Sequence, residues 1–299
     1  MLDFKKKYLL LLIVVLIVMI IFTGCNGHKN SHENQLEKEN NIDEKTKQTK
    51  ISERLKDRKE KIIDKYKNQI PKEWGENVSG VITRIDTNKK VVALTLDACG
   101  SSRDGYDSKL IDFLKQKKIP ATLFINFRWI INNKEIFMEL SRNSLFTIAN
   151  HGTHHLPLSV SGKSAYDIKG TTSVEEVVNE VAKNELKIQN LTEKKPEYFR
   201  SGTAYYDEIA VEIVNDLGEK VIGYDTLGDA GATFIKKQVK NAFLSVSSGS
   251  IILAHMNHPE SDTAEGVIEA VPELRSRGFQ FVKLKDYDNQ LISKVKEGR

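Results

Sequence analysis

The order of apolar and polar positions after Val81 follows two rhythms. Short runs rich in Val, Ile, Thr and Phe predict buried strands, whereas apolar residues at intervals of three and four predict helices. The predicted strands cover residues 91–97, 121–126, 145–150, 198–200, 220–225, 251–255 and 279–285. The predicted helices lie between them, at 108–118, 134–142, 173–191, 207–217, 234–245 and 263–277.

A strand followed by a helix, repeated along the chain, predicts an α/β fold with a parallel sheet and helices outside it. About seven strands favour a closed or nearly closed barrel, with an open doubly wound sheet as the alternative. The sequence from Val81 to Asp97 also predicts two strands joined in a hairpin, which turns at residues 86–89.

The amino-terminal residues have the pattern of an export signal. Three lysines, residues 5–7, precede an apolar run from Tyr8 to Phe22 that is shorter than the roughly 20 residues of a membrane span. The "FTGC" at its end, residues 22–25, resembles a bacterial lipobox and predicts cleavage before Cys25, with lipid attached to its sulfur. An uncleaved anchor helix is the alternative. In both cases we expect the rest of the chain outside the cytoplasm, anchored at the bacterial cell membrane.

These patterns divide the chain into four regions. Residues 1–24 are the predicted lipoprotein-type signal peptide. Residues 25–50, with hardly any apolar side chains, are a predicted polar tether that cannot bury a core. Residues 51–75 are expected to form a charged, water-facing amphipathic helix that ends before Pro71, followed by a linker. Residues 76–299 form the predicted folded domain.

The charge of the chain is not typical of a nucleic-acid-binding protein. The formal net charge is +4, and removal of residues 1–24 takes away three lysines and one aspartate, which leaves +2. Such a chain lacks the basic surface that nucleic acid requires. After lipidation of Cys25 only Cys99 remains, so an intrachain disulfide is excluded. We expect a monomer.

Ionisable residues stand at the ends of five predicted strands. Asp97 ends the first, His151 directly follows the third, and Arg200, Asp225 and His255 close the fourth, fifth and sixth. In a parallel barrel these strand ends share one rim, where such folds carry their active sites. The recurrence of ionisable residues at this rim predicts an active site.

The stretch "ANHGTHHLPLS" supplies a candidate metal site. His151 and His155 are four residues apart, so on one helical turn they would face the same way and could share a cation. Gly152 permits a tight turn after the strand, and His154 is expected to point away. Two imidazoles favour zinc. Two surface histidines would be the better interpretation of the pair alone, but the ionisable residues at the same rim favour the metal site.

Five motifs carry a resemblance to a known family: "TLDACG", "NHGTHH", "FRSGT", "YDTLGDA" and "ILAH". Their order and spacing, over residues 90–286, resemble the NodB-type polysaccharide deacetylases, also called carbohydrate esterase family four. The resemblance implies a distorted (β/α) barrel of about seven strands. It also implies metal-dependent removal of N-acetyl groups from an N-acetylated glycan such as chitin-like or peptidoglycan sugars.

The resemblance assigns roles to residues at the predicted rim. Asp97 matches the family's catalytic base, His151 and His155 match two ligands of a divalent metal, Arg200 matches the arginine that orients the base, and His255 matches the general acid. The "SGT" at residues 201–203 matches the stretch whose backbone N–H would face the oxyanion. Either Asp225 or Asp229 would hold the second ring nitrogen of the general acid.

The chain departs from the family pattern at three positions. Ala98 stands where the family has a second aspartate, which is its third metal ligand. Ala230 stands in place of a tryptophan, and Thr203 in place of a tyrosine. Because a methyl group cannot bind a cation, another donor would have to complete the metal site.

Three residues near Ala98 are candidates for that donor. Asp104 and Asp107 lie in the loop after the first predicted strand. Cys99 could bind zinc as a thiolate, although we prefer to interpret it as a small packed residue.

Four further residues lie near the predicted rim. His258 and Glu260 follow His255 and either touch substrate or cap the next helix. Arg128 and Trp129 follow the second strand, where a sugar ring could stack on the indole. A packed tryptophan is the preferred alternative.

Two other functions compete with N-deacetylation. Ala98 and Ala230 would suit a non-catalytic carbohydrate-binding lipoprotein that keeps the fold, and an esterase for O-acetyl groups would use the same residues as a deacetylase. A binding module has no need of a base, an acid and a metal pair together, so the intact rim favours an enzyme.

Overall fold

The computed structural model describes residues 56–293. The strands are β1 (Ile82–Ile85), β2 (Val91–Ala98), β3 (Ala121–Ile125), β4 (Phe146–Asn150), β5 (Ser164–Ala165), β6 (Ile168–Lys169), β7 (Tyr198–Phe199), β8 (Lys220–Val221), β9 (Thr226–Leu227), β10 (Ser250–His255), β11 (Gln280–Val282) and β12 (Leu291–Ser293). The helices are α1 (56–66), α2 (Ser108–Lys117), α3 (Phe127–Asn132), α4 (Lys134–Arg142), α5 (Val174–Thr192), α6 (Glu208–Asp216), α7 (Lys236–Leu244) and α8 (Thr263–Ser276), with a 3₁₀ helix at Leu284–Gln290. The predicted signal peptide, Cys25 and the tether lie outside the described residues.

One curled sheet forms the centre of the domain. Its strand order is β12-β1-β10-β2-β3-β4-β7-β8, with β9 added to β10 and β11 added to β2. From β10 to β8 neighbouring strands run parallel, whereas β1 pairs antiparallel with β10 and β12. A parallel bridge between Ile82 and Ile222 joins the two sides of the sheet. The predicted distorted (β/α) barrel is confirmed, rather than the open doubly wound sheet.

Polar caps explain why the helices begin close to their predicted positions. The side chains of Asp107, Ser173 and Asp207 accept hydrogen bonds from backbone N–H groups in the first turns of α2, α5 and α6. Helix α3, which the sequence pattern did not predict, is capped in the same way by Asn126.

The predicted hairpin between β1 and β2 is wrong. Strand β10 lies between them, with Ser250 opposite Arg84 of β1 and His255 opposite Asp97 of β2. A local turn signal could not reveal this strand, because β10 comes far later in the chain. The strand predicted at 220–225 also ends early, at Val221.

Alternation along β2 decides which of its side chains reach the interior of the barrel. Ala93 packs in the interior cluster, whereas Leu96 and Ala98 belong to the outer cluster between the sheet and the helices. Because successive side chains of a strand point to opposite faces, Asp97 shares the interior face with Ala93. The Ala98 methyl group is therefore part of the outer core and lies on the opposite face from the Asp97 carboxylate.

Helix α1 packs one face against the domain, although the sequence predicted a water-facing helix. Ile62 and Tyr66 are only 4% and 1% exposed and share a core cluster with residues of α5 and α6. The Tyr66 hydroxyl donates to Asp216 at 3.0 Å. The compact unit begins at Asp57, so part of the segment that we interpreted as helix and linker contributes to the core. Among residues 56–293, none of the helices combines the length and the apolar character needed to cross a membrane.

Candidate active site

A buried ion pair stands at the mouth of the barrel. Arg200 Nη1 lies 2.7 Å from Asp97 Oδ1. The rest of the guanidinium is fixed, since Nε and Nη2 donate to the carbonyl oxygens of Ile222 and Gly223 and its carbon lies 4.2 Å from the Phe124 ring centroid. Burial alone would raise the pKa of Asp97, but Arg200, together with the neighbouring histidines, lowers it below its usual value. The side chain is therefore an anion with a fixed direction.

The ring of His151 is buried and oriented by the backbone. Its Nδ1 lies 3.0 Å from the carbonyl oxygen of Arg200, and a carbonyl can only accept. This contact assigns the proton of the neutral ring to Nδ1 and leaves Nε2 as the ligand atom. The Nε2 atom lies 3.6 Å from Asp97 Oδ2 and 3.7 Å from Cys99 Sγ.

His155 reaches the same point through left-handed backbone. Residues 151–156 are not helical, and Gly152 and His155 have φ of +74° and +64°. The predicted helical turn is wrong, yet the two imidazoles meet, with centroids 5.0 Å apart and planes at 87°. A left-handed conformation is uncommon for a residue other than glycine, so the loop needs contacts that hold it.

The buried carboxylate of Glu180, on α5, provides those contacts. Its Oε1 accepts hydrogen bonds from the backbone N–H groups of Thr153, His154 and Leu156 at 3.0, 2.8 and 3.3 Å. Burial raises the pKa of Glu180, and the three N–H groups oppose that rise. A Cβ at Gly152 would lie 2.6 Å from Oε1, so the loop approaches the carboxylate as closely as it does only with glycine there.

Two buried asparagines hold the other side of this loop. Asn126, after β3, donates to the carbonyl oxygens of His151 and Gly152, both at 2.9 Å. Asn150, the last residue of β4, accepts from the Gly152 N–H at 3.0 Å and donates to the Val181 carbonyl at 3.0 Å. Neither asparagine was predicted from the sequence, and nor was Glu180. The sequence offered two signals for them: both asparagines stand at predicted strand ends, and Glu180 lies on the apolar side of a predicted helix.

Cys99 brings a third donor atom to the two imidazoles. Its Sγ lies 2.9 Å from His155 Nε2, and one ligand atom from each of Cys99, His151 and His155 lies within 4.8 Å of the others. No other group of three His, Cys, Asp or Glu side chains in residues 56–293 meets this test. Burial would raise the pKa of the Cys99 thiol, but His155 and the other nearby histidines lower it well below its usual value. Cys99 is therefore not the small packed residue that the sequence favoured.

The three donors fit a divalent metal. Two imidazole nitrogens and one thiolate form a ligand set that zinc takes, and three protein ligands leave a coordination position for water or substrate. His151 has the backbone contact on its second nitrogen that typically fixes a metal-binding imidazole.

Neither aspartate predicted as a third ligand joins this group. Asp107 Oδ1 caps α2 by accepting from the Leu110 N–H at 2.9 Å. Asp104 accepts from the backbone N–H and the hydroxyl of Ser101, both at 2.6 Å, and its nearest imidazole is that of His258, 3.8 Å away. Both carboxylates stabilise backbone turns after β2, and this role directs them away from the histidine pair.

His255 ends β10 and has a carboxylate of its own. Its Nδ1 lies 2.8 Å from Asp229 Oδ1, and its backbone N–H donates to Oδ2 at 2.7 Å. The Thr263 hydroxyl donates to the same Oδ2 at 3.0 Å. Burial would lower the pKa of His255, but Asp229, with a contribution from Cys99, raises it well above its usual value. The ring is held as a cation, with Nε2 as its remaining donor.

Asp225, the other aspartate predicted beside His255, lies elsewhere. Its carboxylate contacts Arg84 and accepts from the Ser250 hydroxyl and the Ile251 N–H, both at 3.0 Å. It does not end a strand but precedes β9, level with the beginning of β10. Asp229 is level with the end of β10, which is why it meets the imidazole.

These groups open into one cavity of about 810 Å³. Asp97, Cys99, His155 and His255 line it. Ala230 also lines it, at the position where the family has a tryptophan. Asp97, Cys99, His155 and His255 therefore face a common space large enough for sugar rings.

The "SGT" stretch forms part of the cavity wall. The Ser201 N–H already donates to the Tyr206 hydroxyl at 2.9 Å, whereas Gly202 and Thr203 line the cavity. A Cβ at Gly202 would lie 2.4 Å from the backbone of His155, so glycine is required for this close approach. The buried Thr203 hydroxyl has no hydrogen-bond partner among residues 56–293.

The remaining rim residues divide between packing and the cavity. Trp129 is 1% exposed and donates to the Gly105 carbonyl at 2.9 Å, so it is the packed tryptophan that the sequence favoured. Arg128 and His258 line the cavity, and Glu260 lies 3.1 Å from the His258 ring.

Comparison with known proteins agrees with this fold. Residues 84–222 match the family model described as polysaccharide deacetylase. The chain therefore contains a polysaccharide deacetylase domain of the NodB type, carbohydrate esterase family four, which is a family of hydrolases.

Two bacterial relatives cover most of this domain. The chain is 24% identical over 229 residues to the peptidoglycan-N-acetylmuramic acid deacetylase PdaA of Bacillus subtilis, a match that covers 73% of this chain and 81% of PdaA. It is 25% identical over 222 residues to a peptidoglycan-N-acetylglucosamine deacetylase of Bacillus cereus, covering 70% of this chain and 93% of that protein.

A solved structure with a similar fold belongs to a protein described as a pseudoenzyme. BA3943 of Bacillus anthracis, described as a pseudoenzyme of the same esterase family, matches with a TM-score of 0.58 and 22% identity, over 69% of this chain and 67% of that one. A mutant of BA3943 is described as having restored enzymatic activity. At this identity the likeness supports the fold alone, so activity has to be argued from the residues of the site.

Glu180→Gln is expected to weaken metal binding by roughly 10- to 100-fold, because an amide lacks the charge that holds the histidine loop. The measurement is a zinc competition titration against a chromophoric chelator. Glu175→Gln is the matched control, since Glu175 is an exposed residue of the same helix that pairs with Lys59. Equal zinc affinity in folded Glu180→Gln and in the control would contradict the role of the carboxylate.

Proposed function

We propose that this protein is an active metal-dependent deacetylase that removes N-acetyl groups from a polysaccharide, with peptidoglycan as the first candidate. The observation that carries the proposal is the convergence on one cavity of the Asp97–Arg200 pair, the His255–Asp229 pair and the Cys99 donor. The choice of peptidoglycan is supported by the names of the two Bacillus relatives.

The residues of this chain supply the two proton transfers that amide hydrolysis requires. Asp97, kept anionic and aimed by Arg200, would accept the proton of the attacking water. His255, kept protonated by Asp229, would donate its Nε2 proton to the sugar nitrogen as the amine departs. Asp97 and His255 are paired in register in adjacent parallel strands, so both side chains reach the same mouth of the barrel.

We propose that His151, His155 and Cys99 hold the metal ion, and that the ion is zinc. A thiolate supplies the negative charge that an aspartate supplies in the family pattern, and as a softer ligand it favours zinc over magnesium or calcium. When bound, the ion would polarise the acetyl carbonyl and lower the pKa of a water molecule. The loop that carries both imidazoles packs against the cavity wall, because Gly202 lies directly against His155.

Cys99→Ala is expected to reduce zinc affinity by at least about 100-fold, because it removes one of three ligands. The cobalt-loaded wild-type protein should show a thiolate-to-metal absorption band in the near ultraviolet, and the variant should lack it. Asp104→Ala is the matched control, since Asp104 lines the same cavity without joining the donor group. A band that survives in Cys99→Ala, or a larger loss of affinity in Asp104→Ala, would contradict the assignment.

Asp97→Asn is expected to lose turnover by at least about 100-fold while it still binds zinc, because the base is removed and the three ligands remain. The measurement is acetate release from N-acetylglucosamine oligomers and from peptidoglycan, alongside metal content. O-acetylated xylan tested in parallel distinguishes the esterase alternative.

The non-catalytic alternative makes the opposite prediction for the same experiment. The family includes BA3943, which is described as a pseudoenzyme, and Ala98 removes the aspartate of the family pattern. If the zinc-loaded wild-type protein released no more acetate from any of these glycans than Asp97→Asn, the chain would be a glycan-binding protein rather than an enzyme.

We also propose that the protein acts outside the cytoplasm, tethered to the cell membrane by lipid on Cys25. The support is the sequence of residues 5–25. Metabolic labelling with a radioactive fatty acid in a bacterial host should label the wild-type protein and leave Cys25→Ala unlabelled, with the variant kept at its precursor size. Equal labelling of both would contradict lipidation at this cysteine.

A further inference from the structure

An exposed tyrosine at the tip of a small hairpin lines the active-site cavity. Tyr166 is 69% exposed and lies in the turn between β5 and β6. It shares the cavity wall with Glu76 and Tyr224, which come from other segments of the chain than the proposed metal donors. None of these three residues takes part in the proposed acid, base or metal chemistry.

The backbone of this turn is strained. Tyr166 and Asp167 have φ of +53° and +61°, the left-handed pair of a two-residue hairpin turn. Gly, Asn and Asp are the residues that usually occupy such positions, and a bulky aromatic residue there is an outlier. Such strain persists at functional positions when the surroundings hold it.

The surroundings of Tyr166 do hold it. Its hydroxyl donates to Glu76 Oε1 at 3.0 Å, and the Tyr224 hydroxyl donates to Glu76 Oε2 at 2.9 Å. The ring also meets the ring of Tyr205 edge-on, with centroids 5.4 Å apart and planes at 83°. Burial and the Glu76 carboxylate raise the pKa of both phenols, so both remain protonated donors.

The Glu76 backbone is fixed as well. The neighbouring Gly75 exchanges two hydrogen bonds with Tyr206, at 3.1 and 3.0 Å. Two separate segments of the chain, carrying Tyr166 and Tyr224, therefore donate to one carboxylate at the edge of the cavity.

We propose, building on the deacetylase function above, that Tyr166 and Glu76 form a sugar-binding subsite for an uncharged N-acetylhexosamine ring adjacent to the reacting ring of the same glycan chain. The exposed aromatic face offers a platform for the C–H face of a pyranose ring. The Glu76 carboxylate uses one lone pair on each oxygen for the two tyrosines and keeps others to accept from sugar hydroxyl groups. A ring that carries its own carboxylate would be repelled by Glu76.

The subsite is tested by binding to the zinc-loaded Asp97→Asn protein, in which the glycan is not consumed. Isothermal titration with N-acetylglucosamine tetramer should give a Kd about tenfold higher when Tyr166→Ala is added, because the stacking platform is lost. Tyr166→Phe keeps the ring and should cost less, about two- to threefold. Ile131→Ala, at a residue that is 55% exposed and outside the cavity wall, is the control and should leave Kd unchanged.

Glu76→Gln provides a second test that keeps the aromatic ring. It should raise the Kd of the tetramer several-fold, because an amide offers one acceptor oxygen instead of two.

A tetramer Kd that stays within twofold of the parent in both Tyr166→Ala and Glu76→Gln, with thermal melting showing folded protein, would overturn the subsite. If the wild type releases acetate but these variants bind normally, the subsite alone fails. If the wild type releases no acetate yet the variants lose binding, the subsite stands and the deacetylase proposal fails.

Discussion

The chemistry of the cavity depends on a loop that would not keep its shape without outside contacts. Residue His155 adopts left-handed backbone, which costs an L-residue roughly 1–2 kcal/mol. The Glu180 carboxylate binds three N–H groups of the loop, and Asn126 binds two of its carbonyl groups. Hydrogen bonds to a charged group contribute about 1.5–3 kcal/mol each, so these contacts outweigh the strain. The imidazoles therefore stay beside Cys99.

Two buried carboxylates with different partners distinguish the proposed acid from the proposed base. Asp97 is paired with Arg200, which cannot lose its proton at any ordinary pH, so the carboxylate stays an anion. Asp229 is paired with His255, whose proton can be given up. Since β2 and β10 are adjacent and in register at these residues, the sheet itself brings the two pairs to one mouth. The positions of Asp97 and His255 relative to each other therefore follow from strand order.

The parts of the site that depend on local sequence could be predicted, and the parts that depend on distant contacts could not. The positions of Asp97 and His255 at the mouth could be predicted, because period-two alternation and strand ends can be recognised in a sequence. Glu180 is one of many charges in a predicted helix, and its contacts lie in a loop 24 to 27 residues earlier in the chain. Cys99 was interpreted as packed because the position of His155 depends on backbone that no spacing rule describes. Strand β10 was not expected between β1 and β2 because it comes far later in the chain, where a local turn signal gives no information about it.

We propose that Cys99 takes the place of the metal ligand that the family pattern has at Ala98. Ala98 lies on the outer face of β2, and the donor set is completed by the next residue, Cys99, at the mouth. The most direct test is zinc K-edge X-ray absorption on the zinc-loaded protein. We predict one sulfur scatterer at about 2.3 Å together with nitrogen at about 2.0–2.1 Å. A first shell that contains only nitrogen and oxygen would contradict it.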